Sequence, residues 1–320
     1  MKLGQRPIEI GLNAAIVAVA DREPLILVVN GDTLPFGPFD PLAHRTFEMG
    51  LRDWVAEQTA LKLGYAEQLY TFGDRGRHAS PGDVGPHLVS VGYLALTRVG
   101  DEPSEALARA GASWRRWYDF FPWEDWREGR PAILDEALIP ALDRWAGEPA
   151  ELTPTKPLGR RERVRLAFGE SGARWDEEHA LDRYELLYEA GIVAEATRDG
   201  RPAAPHTIAA GASMRFDHRR ILATAISRLR AKLKYRPVVF ELMAGEFTLT
   251  ELQHTVEAIS GRHLHKQNFR RLIEGAALVE PTGRSAQAGR GRPAALFRFR
   301  RDILKERPAP GVRFRSRAPA

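Results

Sequence analysis

Between Pro237 and Phe299 the chain is punctuated so closely that few folds can accommodate it. Pro237 marks a boundary and suits the first turn of a short helix, Pro237 to Ala244. Thr248 and Glu251 form a T-x-x-E capping box ahead of Leu252, Val256 and Ile259, so a second helix starts there and stops at Gly261. After the turn Gly261 to His265, Phe269, Leu272, Ile273 and Ala276 recur on one face of a third helix, Lys266 to Ala277. Gln267, Arg270, Arg271 and Glu274 share the opposite face. Ala277 to Pro281 and Ala295 to Phe299 then read as two strands of a hairpin around a loop rich in glycine and arginine.

Helix, helix, turn, helix, hairpin is the order of a winged helix-turn-helix, and its polar chemistry suits double-stranded DNA. Gln and Arg bond base edges bidentately, while Lys and a helix N-terminus meet phosphate. Lys266, Gln267, Asn268, Arg270 and Arg271 are therefore the candidate DNA contacts of the helix. In the wing, Arg290-Gly291-Arg292-Pro293 is extended and free of bulk, so Arg290 and Arg292 suit a narrow minor groove where negative potential is deepest. Each piece alone has a plainer reading, a solvated surface helix or a flexible loop; their coincidence in one cationic segment favours DNA.

That segment is far more cationic than the whole. The net charge is +5, but residues 1–214 carry 24 Lys and Arg against 33 Asp and Glu, whereas residues 215–320 carry 23 against 9. A basic end on an acidic body points to a polyanion partner for one part only, and no basic amphipathic stripe backed by Trp or Phe suggests a membrane. The absence of cysteine excludes disulfides, Cys-ligated metal and thiolate nucleophiles. No apolar run approaches the ~20 residues of a membrane span, and the first residues lack a signal-peptide pattern, so a cytoplasmic protein is expected. The basic tail 307–320, with three prolines, is expected to be disordered.

The front of the chain reads as mixed α/β. Ala14 to Val19 and Leu25 to Val29 form a strand hairpin, a Gly/Pro loop spans Leu34 to Pro41, and Phe47, Leu51, Trp54, Val55 and Leu61 define a helix of four to five turns. Gln68 to Phe72 and His87 to Leu96 are further strands. From Ser113 a helical texture is expected, with an aromatic cluster from Trp114 to Trp126. Such a cluster can stack bases, but basic interleaving is confined to Arg115, Arg116 and Arg127, which favours core packing. Ile133 to Trp145 continues as helix. Residues 150–165, with Arg160, Arg161, Arg163 and Arg165, read as a linker, Trp175 to Glu195 as one amphipathic helix, and a helix from Asp217 to Leu233 with an Arg/Lys polar face links the two parts. The division is a front domain over 1–149, a linker and helical insertion over 150–215, a linker helix with the winged helix over 216–306, and the tail.

The strand hairpin, the Leu34-Pro35-Phe36-Gly37 loop and the helix ending Ala56-Glu57-Gln58-Thr59-Ala60-Leu61 resemble the Nudix fold. That family's G-x5-E-x7-R-E-U-x-E-E-x-G-U box holds Mg²⁺ against a diphosphate with clustered carboxylates. Here the box is broken. Aligned on Arg52 and Asp53 it keeps Glu57 but places Ala56 and Thr59 where Glu and Gly belong; aligned on Glu57 it loses the Arg-Glu pair. Glu48, nine residues from Glu57, lies on the far side of the helix, so Asp53 and Glu57 alone converge. No metal is expected.

Both halves together resemble the Nudix-related transcriptional regulators of NAD metabolism of the NrtR type. The carrying motifs are Phe247-Thr248-Leu249, Lys266-Gln267-Asn268-Phe269-Arg270-Arg271, Glu280-Pro281-Thr282-Gly283 and Gly291-Arg292-Pro293-Ala294. Leu34 to Asp40, Tyr70 to Arg77 and Phe216 to Leu222 make it most similar to the NadQ branch. The resemblance implies a Nudix-like α/β sandwich, a helical linker and a C-terminal winged helix-turn-helix: α/β plus α. It implies a repressor dimer on a palindromic operator at genes of NAD synthesis or salvage, controlled by a nucleotide such as ADP-ribose, NAD or ATP and without a catalytic cofactor. Phe36, Gly37, Phe39, Asp40, Arg75 and Arg77 are the implied effector contacts, the two arginines as bidentate phosphate partners or as a solvated loop. The rival readings are a Mg²⁺-dependent Nudix hydrolase of nucleotide diphosphates using Asp53 and Glu57, and a structural or RNA-binding protein.

Overall fold

The computed structural model describes residues 7–74, 86–100, 104–149, 157–204, 208–286 and 293–306. Its centre is a mixed sheet in the order β4-β5-β1-β2-β6, formed by Tyr65–Phe72, His87–Leu96, Ile8–Ala20, Glu23–Val29 and Ala112–Arg116, with the short β3 (Phe36–Pro38) also paired to β1. β1 runs antiparallel to β2 (Val17 opposite Ile26) and to β3 (Asn13 opposite Phe36), and parallel to β5 (Ile8 opposite His87 through Val17 opposite Leu96). A parallel pair needs a crossover. α1 (Phe47–Thr59) and β4 supply it.

Strand periodicity divides β1 between two cores. Leu12, Ala14 and Ile16 face Leu51 and Val55 of α1, whereas Ala15 and Val17 join a second, larger cluster. That second face is covered by α7 (His218–Leu233), whose Ile221, Leu222 and Ile226 are fully buried. A Cβ on Gly92 of β5 would lie 3.2 Å from Ile221, so the missing side chain lets α7 lie close to the sheet. Helix, sheet and helix make a three-layer sandwich in which the third layer comes from the far end of the sequence.

Several elements differ from the sequence reading. α1 ends at Thr59, with Ala60 in the left-handed region, because the chain reverses there; Arg52 donates to the Leu63 and Gly64 carbonyls and straps the return onto the helix. Leu61 is thus buried beyond the helix rather than on it. The helical texture expected from Ser113 is instead β6 followed by two short 3-10 turns, because pairing with the edge of β2 decides the conformation. α2 (Ser104–Arg109) precedes it, and a π turn (Leu134–Leu138) runs into α3 (Ile139–Gly147). The aromatic cluster is core, as favoured: Trp117, Phe120, Phe121 and Trp123 have no solvent exposure.

Arg160 to Arg165 form a helix, α4 (Arg160–Phe168), rather than a linker, stabilised by Arg163 on Glu189 and Arg165 on Glu162. The single helix expected from Trp175 to Glu195 is divided into a 3-10 turn, α5 (Ala180–Glu189) and α6 (Ala194–Arg198). The break is at Gly191, whose φ is +70° and where a Cβ would meet the Pro202 carbonyl at 2.1 Å.

The C-terminal part follows its punctuation. A 3-10 turn (Val238–Leu242) takes the place of the short helix expected there and precedes α8 (Leu249–Ser260), which carries the full Thr248–Glu251 capping box and ends at left-handed Gly261. α9 (Lys266–Ala276) and the hairpin β7 (Val279–Ala286) and β8 (Ala294–Phe299) follow, and α10 (Ile303–Glu306) closes the described chain. Ala277, expected to open the hairpin, is the left-handed cap of α9. Phe247 and Phe297 exchange two backbone bonds of 2.9 and 2.8 Å, adding a third strand segment beside the hairpin.

Candidate nucleic-acid interface and effector loop

α9 is amphipathic in the intended sense. Phe269 and Ile273 are buried, while Lys266, Gln267, Asn268, Arg270, Arg271 and Glu274 are exposed. Among the described residues, Arg270 and Arg271 make no ion pair, so their guanidiniums are available to an external anion or base edge. The wing strands differ: Arg284 pairs with Glu246 and Arg298 with Glu280. Arg290 and Arg292 lie outside the described residues.

Two buried groups set the attitude of α9. Glu257, in α8, accepts through one oxygen from Gln253 Nε2 (3.0 Å) and the Leu264 N–H (2.8 Å), and His263 Nδ1 lies 3.3 Å away. This staples the turn between the two helices. From the body, Trp126 donates its backbone N–H to the Gly261 carbonyl at 2.8 Å and Tyr118 Oη donates to Ala258 at 2.7 Å. Sequence reasoning did not select these residues; Glu257 gives no signal because it sits on an ordinary helical pattern.

The cationic character of the C-terminal third is less open than its charge balance implies. Among the described residues, at least seven of its basic residues pair with acids from the first 214 residues: Arg215 with Asp32, Arg219 with Glu195, Arg220 with Glu185, Arg230 with Glu124, Lys232 with Glu67, Lys234 with Glu178 and Arg262 with Glu177. Five of them belong to α7 and its C-cap. Most of the Arg/Lys face of that helix is therefore engaged within the molecule, with Arg228 exposed. Glu124 is the extreme case, fully buried between Arg183 and Arg230. Burial alone pushes its carboxyl pKa up, but the two guanidiniums outweigh this and hold it below the ordinary glutamate range.

In the front domain, Phe36, Gly37, Phe39 and Asp40 come together on β3 and the turn after it. Gln58 clamps the Phe36 peptide, accepting its N–H (3.0 Å) and donating to its carbonyl (2.6 Å), and Trp54 Nε1 donates to the Pro38 carbonyl at 2.9 Å. The Trp54 ring covers Gly37 so closely that a Cβ there would fall 2.2 Å from it. Asp40 accepts the Leu42 N–H at 2.8 Å, and Phe39 packs edge-on against Phe47 at 4.6 Å. Gly37 and Asp40 thus shape the loop, while the half-buried Phe36 and Phe39 rings are its apolar surface. Arg75 and Arg77 lie outside the described residues.

On the helix that aligns with the metal box, Asp53 faces His44 Nε2 at 3.4 Å, Glu48 pairs with Arg52 at 2.7 Å, and Glu57 is exposed. Among the described residues no three His, Asp or Glu side chains converge as a metal site, and no helix is long and apolar enough to cross a membrane.

Fold and site together define a class: a mixed-sheet α/β sandwich joined to a C-terminal winged helix whose α9 exposes a basic face. Residues 239–299 match the family model of the NrtR DNA-binding winged helix domain. A curated relative, the ADPR responsive transcriptional repressor NtrR of Acinetobacter baylyi, is 45% identical over 84 residues, which cover 26% of this chain and about a third (33%) of the relative. Among solved structures, Shewanella oneidensis NrtR complexed with a 27mer DNA aligns with a TM-score of 0.52 at 21% identity, over 92% of this chain and 95% of that one. The crystal structure of S. oneidensis NrtR gives 0.51 at 21% identity, over 92% of this chain and 94% of that one. Residues 239–299 thus form a winged helix domain of the NrtR type, and the overall fold is similar to that of the S. oneidensis protein.

Proposed function

We propose that the protein is a cytoplasmic DNA-binding transcriptional repressor of genes for NAD synthesis or salvage, acting as a dimer on a palindromic operator. Its nucleotide effector binds the Nudix-like domain. The observation that carries this reading is α9: an NrtR-type recognition helix whose Lys266, Gln267, Asn268, Arg270 and Arg271 are all exposed. The name of the curated relative makes ADP-ribose the first effector to test, with NAD and ATP as comparisons. Phe36 and Phe39 supply apolar surface for a base or ribose, Gly37 and Asp40 hold the loop, and Arg75 and Arg77 are assigned to the phosphates. Arg290 and Arg292 are assigned to the minor groove.

The domain binds without hydrolysing. Asp53 lies against His44 and Glu57 is exposed on the helix surface, a weak donor set for the Mg²⁺ that must neutralise a diphosphate. The deciding experiment is a mobility-shift titration on the protein's own promoter and on promoters of NAD genes, with and without each nucleotide. Promoter binding above random DNA at ~150 mM salt, altered by one nucleotide, supports the reading; equal affinity for random DNA sinks it. Release of AMP or phosphate from ADP-ribose, abolished by Glu57→Gln, would establish the hydrolase instead.

A further inference from the structure

α7 has one end at the candidate effector loop and the other at the turn that carries the recognition helix. At its start, His218 Nδ1 accepts the buried Leu34 N–H at 3.0 Å, and the Phe36 ring packs edge-on against both Phe216 (5.3 Å) and His218 (5.2 Å). Arg230 lies twelve residues on, about 18 Å along the axis. Its Nε donates to the Ile259 carbonyl at 2.9 Å, in the last turn of α8, and its guanidinium also binds Glu124 and the Glu124 carbonyl. The last carbonyls of a helix have no partner of their own. Here Arg230, Tyr118 and the Trp126 N–H take up those of Ile259, Ala258 and Gly261. A Cβ on Gly261 would fall 2.4 Å from the Glu124 carbonyl, so the turn and the body are in direct backbone contact.

Between its ends α7 has little freedom to bend. Ile221, Leu222, Ala225, Ile226 and Leu229 are fully buried. Glu185 of α5 holds Arg220, Glu195 of α6 holds the buried Arg219, and Arg183 of α5 shares Glu124 with Arg230. From the segment 157–204, to which the sequence attached no role, α5, the 3-10 turn before it and α6 pack along this helix, with α4 behind α5.

We propose that α7 is the transmission rod of the molecule: His218 registers the position of the Leu34–Phe36 segment, Arg230 sets the α8–α9 turn, and α5 and α6, packed along it, keep the rod rigid. Occupancy of the front loop is thereby converted into a change in the attitude of the recognition helix. This rests on the repressor reading for the identity of the two ligands, but the mechanical link itself does not.

The test uses the full-length protein and three variants. His218→Leu removes the acceptor and keeps apolar bulk, His218→Asn keeps an acceptor near the Nδ1 position, and Arg230→Lys keeps charge but loses the fork. Without ligand, amide hydrogen exchange over residues 256–265 should rise at least about five-fold in His218→Leu and less than about two-fold in His218→Asn, with β1 and β5 unchanged. Arg230→Lys should reciprocally loosen residues 34–36. Protection unchanged at the far end in His218→Leu overturns the proposal. If β1 and β5 also loosen in that variant, Arg230→Lys decides alone, and unchanged protection at 34–36 overturns it. In a second arm, the ratio of operator affinities with and without ADP-ribose should fall to within about two-fold of unity in His218→Leu, while calorimetric ADP-ribose affinity stays within about three-fold of the parent. Persistence of the parent ratio overturns the rod. Absence of ADP-ribose binding in the parent instead refutes the effector assignment and leaves the exchange result to decide the link.

Discussion

Replacing Glu124 with Gln is the most severe single test of the packing described above. The parent carboxylate receives Arg183 Nε at 2.5 Å and Nη2 at 2.8 Å, together with Arg230 Nη1, and all three side chains have essentially no exposure. Gln keeps one acceptor oxygen and nearly the same volume but removes the charge, leaving two guanidiniums facing each other without a counterion. Breaking a buried pair by removing one partner costs about 3–5 kcal/mol, and the retained oxygen places Gln near the lower end, about 3 kcal/mol. That is a large share of the ~5–15 kcal/mol that holds a protein folded. In urea, with a slope of about 3 kcal/mol/M, the unfolding midpoint should fall by about 1 M with the slope unchanged. The pH dependence has a definite sign. The folded pKa of Glu124 is depressed below its ordinary 4.5, so its stabilisation is present above that value and is lost as pH falls through the folded pKa. The difference between parent and variant should therefore narrow under acid. A loss below ~1 kcal/mol at pH 7, or a difference that does not narrow on acidification, would refute the account of the junction.

Three further outcomes follow from the DNA-reading part. Arg271→Ala should cost about 1–3 kcal/mol of operator binding and relax preference at one base position, measured by titration on single-substituted operators; equal losses on operator and random DNA would place Arg271 on phosphate instead. Lys266→Ala should weaken both DNAs alike and make the slope of log affinity against log salt shallower by about 0.9, as loss of one phosphate contact requires. Thr248→Ala removes the side-chain half of an intact capping box, N–H to Oγ1 at 3.2 Å. It should lower unfolding stability by about 1 kcal/mol without altering ADP-ribose affinity.

The winged helix was legible because its signals are local. A capping box, a left-handed glycine and a four-residue apolar period each act over one or two turns, and Thr248, Gly261 and Phe269 do what their neighbours dictate. β6 was not legible, since Ser113 to Arg116 become a strand only because β2 offers an edge. The Arg/Lys face of α7 misled for a related reason: a cation in a helical pattern reads as solvated unless its acid is known, and those acids lie as far back as Glu67 and Glu124. In the candidate effector loop, the sequence named Phe36, Gly37, Phe39 and Asp40, which the fold brings together on β3 and the turn after it. It did not show that Trp54 lies over Gly37 or that Asp40 is engaged by its own turn. The tie between Leu34 and His218 spans 184 residues and has no local signature at all.

That α7 completes the sheet bears on how such a protein can be taken apart. A polypeptide stopped ahead of residue 218 would leave Ala15, Val17, Leu94 and Leu96 on a bare apolar face, would strand Glu185 and Glu195 without their cations and would leave Glu124 with Arg183 alone. A polypeptide started there would carry the orphaned arginines. Neither half is a self-sufficient folding unit, so the two activities are expected to melt in one cooperative transition rather than two. Exchange of the winged helix between such proteins would therefore have to carry matched partners for the Ala258, Ile259 and Gly261 carbonyls, which Tyr118, Arg230 and Trp126 supply here from the body.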